Sequence, residues 1–264
     1  MKTERRLPEA IRLLVEGKTY ETDEIGMSSA TVQIYEDMVL KIQDRPEELE
    51  KEYCFMKWLE HTGIVPKALA FEALDGWYFL LMSRMPGQMS CAKTYMENPQ
   101  ILIKILAEGL KTLWQIGPKD CPVQNTLEVK LKQAAENIKN GWVDVEDAEP
   151  DTYGEGGFRD PEDLLDWLCA NRPEEELTLT HGDYCLPNVF GEGDAFRGLI
   201  DLGRMGVADK WQDIALCYRS LCHNADGTYG VVYENVKPEL LFEALGLEPD
   251  WEKIRYYILL DELF

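Results

Sequence analysis

The sequence predicts an α+β chain of two lobes, a small β-rich lobe over residues 1–86 and a larger, mainly helical lobe over 87–264. Three observations predict it. Short β-rich runs joined by tight polar turns fill the first third around one helix. Met85-Pro86-Gly87 is turn chemistry and a candidate hinge. Apolar residues on helical spacing dominate the remaining two thirds of the chain. Strands segregated from helices along the chain describe α+β, with a cleft between the lobes.

Ala30–Tyr35 and Met38–Gln43 read as a hairpin around Glu36-Asp37. Pro46 opens a helix to about Glu60, with Leu49, Tyr53, Met56 and Leu59 near helical spacing. Lys67–Phe71 and Trp77–Met82 read as a second hairpin around Asp75-Gly76, a strong turn pair. Past the hinge, Ile101–Trp114 and Leu127–Lys139 are helices, the first ending near Gly117-Pro118. Residues 141–160 are an acidic loop, and Pro161 opens a helix to about Ala170. Leu177–Thr180 and Gly198–Ile200 are short strands. Asp209–Cys222, Pro238–Leu245 and Pro249–Leu263 are helices.

Composition bounds the function. The 264 residues carry 27 Lys plus Arg against 49 Asp plus Glu, a net charge of −22. Binding nucleic acid needs clustered cations against phosphate, and an anionic membrane surface needs the same. Neither is expected as a partner; a cationic small molecule is. No apolar run is long enough to span a bilayer, and charges interrupt the N-terminal apolar stretch, so no secretory signal is read. Seven cysteines without a Cys-x-x-Cys pair fit neither a disulfide framework nor a zinc site. A cytoplasmic protein, monomer or dimer, is the expectation.

The chemistry concentrates in HGDYCLPNVF at 181–190 and LIDLGR at 199–204. Asp183 and Asn188 are five residues apart after a strand, so both can face one site. Asp201 comes after the next short strand. A carboxylate that orients a hydroxyl, and carboxylate and amide oxygens that hold Mg²⁺, are what phosphoryl transfer requires. Singly, each residue has an ordinary explanation: Asp and Asn fill turns, His181 packs in cores, and Asp201 could cap a helix. The order of strand, His-x-Asp, a step of five to Asn, hairpin and apolar-Asp resembles the protein-kinase catalytic core.

Its particular form is narrower. Gly182 stands where protein kinases carry Arg, and Asp201-Leu202-Gly203 replaces their Asp-Phe-Gly. IDLGRMGVADKWQDIAL at 200–216 and YYILLDELF at 256–264 resemble the aminoglycoside 3′-phosphotransferases over nearly the whole chain. The resemblance implies a protein-kinase-like two-lobe fold and transfer of the γ-phosphate of ATP, or GTP, to a hydroxyl of an aminoglycoside, the 3′-hydroxyl expected. Asp183 would orient that hydroxyl and accept its proton late, with Asn188 and Asp201 on Mg²⁺. Lys41, on a strand, resembles the kinase phosphate-pairing lysine. Glu50 matches the family's position for its partner, ahead of Glu48 and Glu52 in the same acidic stretch. Met27 and Ser28 resemble the family's Gly-Met-Ser nucleotide loop. Main-chain groups of Ser83 and Met85 would read the adenine edge, with aliphatic Val39 beneath the base where some relatives carry an aromatic residue.

On the substrate side, Asp261, Glu262 and the Phe264 carboxylate match the family's terminal pattern for ammonium groups. Glu155 in the acidic loop is a further candidate. Arg204 and Asp213 match family positions, read here as ion-pairing residues, Arg204 orienting the catalytic loop through Asp183. Leu186 stands where some relatives are acidic, so a drug profile does not transfer. Two other readings stand beside this one: a kinase-like enzyme for another small amine, sugar or macrolide, and a non-catalytic binder of cationic drugs. A protein kinase is disfavoured by the missing Ala-Pro-Glu segment and the short stretch after Asp201.

Overall fold

The computed structural model describes residues 6–22 and 30–264. They form two compact units, one of residues up to Gly87 together with Arg197–Arg204, the other of Gln88–Phe196 and Met205–Phe264. A segment holding Asp201 groups with the first unit.

The first unit opens with α1 (Glu9–Val15), an element not read from the sequence. Its sheet comprises β1 (Glu21–Thr22), β2 (Thr31–Ile34) and β3 (Met38–Gln43), then, beyond α2 (Pro46–Leu59), β4 (Ala68–Leu74) and β5 (Trp77–Ser83). The strand order is β1-β2-β3-β5-β4, every pairing antiparallel. The β4–β5 turn places Asp75 and Gly76 at φ 53° and 78°, a geometry Asp and Gly tolerate. On β3 the alternation sends Met38, Leu40 and Ile42 into a core with Ile11, Tyr35, Phe79 and Leu81. Val39 and Lys41 therefore lie on the opposite face. α2 starts with Pro at its first position and Glu47 and Glu48 in its first turn, where negative charge suits the helix dipole. It buries Leu49, Glu52, Phe55, Met56 and Leu59. Residues 197–204 are tied in by Leu199 N–H to the Ile64 carbonyl (2.7 Å) and by Arg197 to the Gly63 carbonyl (3.0 Å).

The second unit is mainly helical. It comprises β6 (Gln88–Met89), α3 (Lys93–Met96), α4 (Pro99–Ile116), α5 (Leu127–Asn140), α6 (Pro161–Ala170), β7 (Leu177–Thr180) and β8 (Val189–Glu192). The chain leaves along β9 (Ala195–Leu199) and returns for β10 (Gly206–Asp209), α7 (Lys210–Ala225), α8 (Leu240–Leu245) and α9 (Trp251–Asp261). β7 pairs antiparallel with β10, and β6 with β8. α4 buries Leu102, Ile105, Leu106, Leu110 and Leu113. α7 packs against α9. Among the described residues no helix is long and apolar enough to cross a membrane.

Candidate active site

The loop after β7 is built from below by α7. Asp213, fully buried, accepts the His181 N–H (2.7 Å) and the Gly182 N–H (2.8 Å) on its two carboxylate oxygens. Burial pushes the Asp213 carboxyl up, and His181 and the two N–H groups pull it back. Expected as an ion-pairing residue, Asp213 instead binds the main chain of the loop. Gln212 adds a bond to the Gly182 carbonyl (3.0 Å). Gly182 sits at φ 83°, a left-handed geometry glycine adopts without a Cβ penalty, which accounts for a glycine between His181 and Asp183.

Tyr184 then plunges into the core and donates to the Leu106 carbonyl on α4 (2.9 Å). Asp183 is left partly exposed on a loop pinned on both sides. The Leu186 N–H donates to Ser220 (3.0 Å), holding the turn Leu186–Asn188. Asn188 Nδ2 donates to the Asp183 carboxylate (2.9 Å) and to the Asp183 carbonyl (3.0 Å). The Asn188 amide oxygen takes no part in these bonds.

In the first unit, Lys41 Nζ donates to both Glu52 oxygens (2.9 and 3.0 Å) and to Asp201 Oδ1 (3.0 Å). Burial opposes the ammonium, but the two carboxylates outweigh it and raise the Lys41 pKa. Burial also raises the Glu52 carboxyl, with Lys41 pulling it down and the Leu202 N–H donating to it. The expected partner Glu50 is a correction: it is exposed, and so is Glu48. The reason is helical period. Residues two apart on a helix point about 200° from each other, and the face carrying Leu49, Phe55 and Met56 carries Glu52, not Glu50. Asp201 has φ 61°, an uncommon left-handed geometry for a residue with a side chain. Its carboxylate is a hard oxygen donor, as is the Asn188 amide in the second unit.

The other expected nucleotide residues divide. Ser83 N–H donates to the Lys67 carbonyl (2.9 Å), and its hydroxyl accepts from Lys67 N–H (2.9 Å). The Ser83 N–H is thus already engaged within the protein. Met27 and Ser28 lie outside the described residues. Arg204 ends the turn Leu202–Arg204 in the first unit.

At the end of α9, Asp261 bonds Arg219 of α7, and Arg219 also faces Glu262 (3.5 Å) and Glu149 of the acidic loop (3.8 Å). His223 lies 3.2 Å from Glu149. Burial raises the Glu262 carboxyl to about 7 against the pull of Arg219, and Glu149 and Asp261 add to the rise. Leu263 is fully buried, and its carbonyl accepts from Asn137 (2.8 Å). Lys130 stands over the Phe264 ring (5.0 Å). The acidic helix end is docked rather than frayed in solvent. Glu155 is exposed on the same loop; the loop carboxylate within this cluster is Glu149. Sequence reasoning missed Glu149, Arg219 and His223. The available signal was an arginine within the apolar helical run ALCYRSLC at 215–222.

Residues 19–257 match the family model described as "Phosphotransferase enzyme family". An aminoglycoside 3′-phosphotransferase of Enterococcus faecalis is 39% identical, covering 98% of both chains. The chain belongs to this family, among the aminoglycoside 3′-phosphotransferases. A second member, from Staphylococcus aureus, is 38% identical, again over 98% of each chain. The fold recurs in a solved aminoglycoside phosphotransferase of Streptomyces rimosus, in complex with ADP and streptomycin. Its TM-score is 0.78 at 23% identity, with 96% of each chain covered. As in the expected kinase-like architecture, the phosphotransferase carries an antiparallel sheet in the first unit and helices in the second.

Proposed function

We propose that the chain transfers the γ-phosphate of ATP to the 3′-hydroxyl of an aminoglycoside. The observation that carries this reading is the near-full-length identity to aminoglycoside 3′-phosphotransferases, 39% and 38% over 98% of each chain. Asp183 orients the acceptor hydroxyl and takes its proton late, since a loose transition state asks little activation of the nucleophile. Asn188 holds the Asp183 carboxylate in one orientation by its 2.9 Å bond. Lys41, fixed by Glu52, offsets phosphate charge. Asn188 and Asp201 would each offer an oxygen to Mg²⁺, and the ion, when bound, would offset charge on the phosphate oxygens. The Met85 N–H and the Ser83 carbonyl meet the adenine edge. Asp261, Glu262 and Glu149 meet the substrate's ammonium groups, and Arg219 keeps these three carboxylates from repelling one another apart.

The test is coupled ADP release with kanamycin, neomycin and a kanamycin lacking the 3′-hydroxyl. Signal with the first two and none with the third is expected, and Asp183→Ala should abolish turnover while still binding nucleotide. Phosphorylation of the 3′-deoxy compound at the normal rate would move the acceptor to another hydroxyl.

A further inference from the structure

One aromatic ring stands exposed beside the acidic cluster without being part of it. After α7 the chain makes a tight excursion over 226–233. Asp226 accepts the Thr228 N–H (2.9 Å) and hydroxyl (2.7 Å). Gly230 N–H donates to the Gly227 carbonyl (2.8 Å), and both glycines have positive φ, 99° for Gly227 and 88° for Gly230. Tyr233 N–H closes the base on the Ala225 carbonyl (2.8 Å). This bonded turn presents Tyr229 at 63% exposure. Its ring meets His223 nearly edge-on, 6.3 Å between centroids at 78°. His223 in turn pairs with Glu149, which shares Arg219 with Asp261 and Glu262. The Tyr229 hydroxyl also lies within electrostatic reach of Arg219 and of the Cys185 thiol, two residues past Asp183. The ring thus stands against the histidine that pairs with Glu149, at the edge of the carboxylates that would take ammonium groups.

A tyrosine face attracts cations through its quadrupole and offers apolar area to the C–H face of a sugar. On a turn already fixed by hydrogen bonds, little ordering cost remains when a ligand lands on it. We propose that Tyr229 is a substrate-binding, specificity-determining residue whose ring forms one wall of the site for an ammonium-bearing sugar ring, opposite the carboxylates of Glu149, Asp261 and Glu262. The inference rests on the aminoglycoside reading above and adds to it the residue that discriminates among such substrates.

The test is steady-state phosphorylation of kanamycin by the full chain and by Tyr229→Ala, Tyr229→Phe and Tyr229→Trp, with thermal unfolding recorded for each. Tyr229→Ala should raise the kanamycin KM about five- to tenfold, with the effect on KM rather than kcat and the ATP KM unmoved. Tyr229→Phe and Tyr229→Trp keep a ring and should stay within about twofold of the unaltered chain. An unmoved kanamycin KM in Tyr229→Ala overturns the inference while the enzyme reading stands, as does a loss in Tyr229→Phe equal to that in Tyr229→Ala. If the unaltered chain phosphorylates no aminoglycoside, the enzyme reading falls and takes the inference with it.

Discussion

Glu262 is where burial and charge contend most directly. Its side chain is 6% exposed beside Arg219. Burial lifts the carboxyl from the ordinary 4.5 to about 7, Arg219 opposes, and Glu149 and Asp261 add to the lift. The Tyr153 hydroxyl, pushed up to about 12 first by burial and then by Glu262, feels the same charge. A carboxyl raised on folding contributes stability that is full below its unfolded pKa and is lost as pH rises through the folded value. Over roughly pH 4.5 to 7, unfolding midpoints should therefore decline in the native chain relative to Glu262→Gln. Substrate binding has the opposite sign. An ammonium beside Glu262 favours the ionised form, so binding expels the proton that Glu262 retains near pH 6. The ratio of the kanamycin KM of Glu262→Gln to that of the native chain should grow from about pH 6 to 8. Using the ratio cancels the titration of the drug's own amines. A ratio flat across that range would remove Glu262 as the titrating group.

α4 carries a glycine in mid-helix, at a cost of about 1 kcal/mol against alanine, and the catalytic loop explains it. A Cβ on Gly109 would sit 2.1 Å from the Tyr184 hydroxyl and 2.9 Å from the Phe196 ring. Tyr184 is fully buried, and its hydroxyl is bonded to Leu106, so it has nowhere to swing. Gly109→Ala should improve helix propensity yet lower the unfolding midpoint by several degrees. It should also reduce kcat, because Tyr184 adjoins Asp183; a midpoint equal to or above the native one would refute the packing argument. The helices themselves were legible because apolar period and Pro or Gly at their ends are local signals: α2, α4, α5 and α6 start within two residues of expectation. α1, α3, β6 and β10 were not. The two-residue β6 leaves no period to read, and in β10 Gly206-Val207-Ala208 owes its strand state to pairing with distant β7. The site shows the same division. Asp183, Asn188 and Asp201 stand out through motif order, and Lys41 through the resemblance that this order carries. The partner of Lys41 was decided by helix phase, which selects Glu52. Glu149, Arg219 and His223 meet only once the loop, α7 and α9 are folded together.

At the scale of the whole chain, a net charge of −22 acts on two substrates of opposite sign. The family's aminoglycoside acceptors are polycations, and ATP is a polyanion. A field of this sign concentrates the first near the protein and repels the second, for which the proposed reading supplies a local cation at Lys41. Dissolved salt screens such fields over about 8 Å at physiological strength, so encounter steering fades as salt rises while contacts within the site persist. Raising salt from about 20 to about 300 mM should therefore lower kcat/KM for kanamycin several-fold. Over the same range kcat/KM for ATP should hold level or rise. A second drug with fewer amino groups should show a shallower slope, since steering scales with ligand charge. Parallel slopes for drug and nucleotide would mean that the acidity of this surface has no part in substrate capture, and that the cluster of Glu149, Asp261 and Glu262 acts at contact range alone.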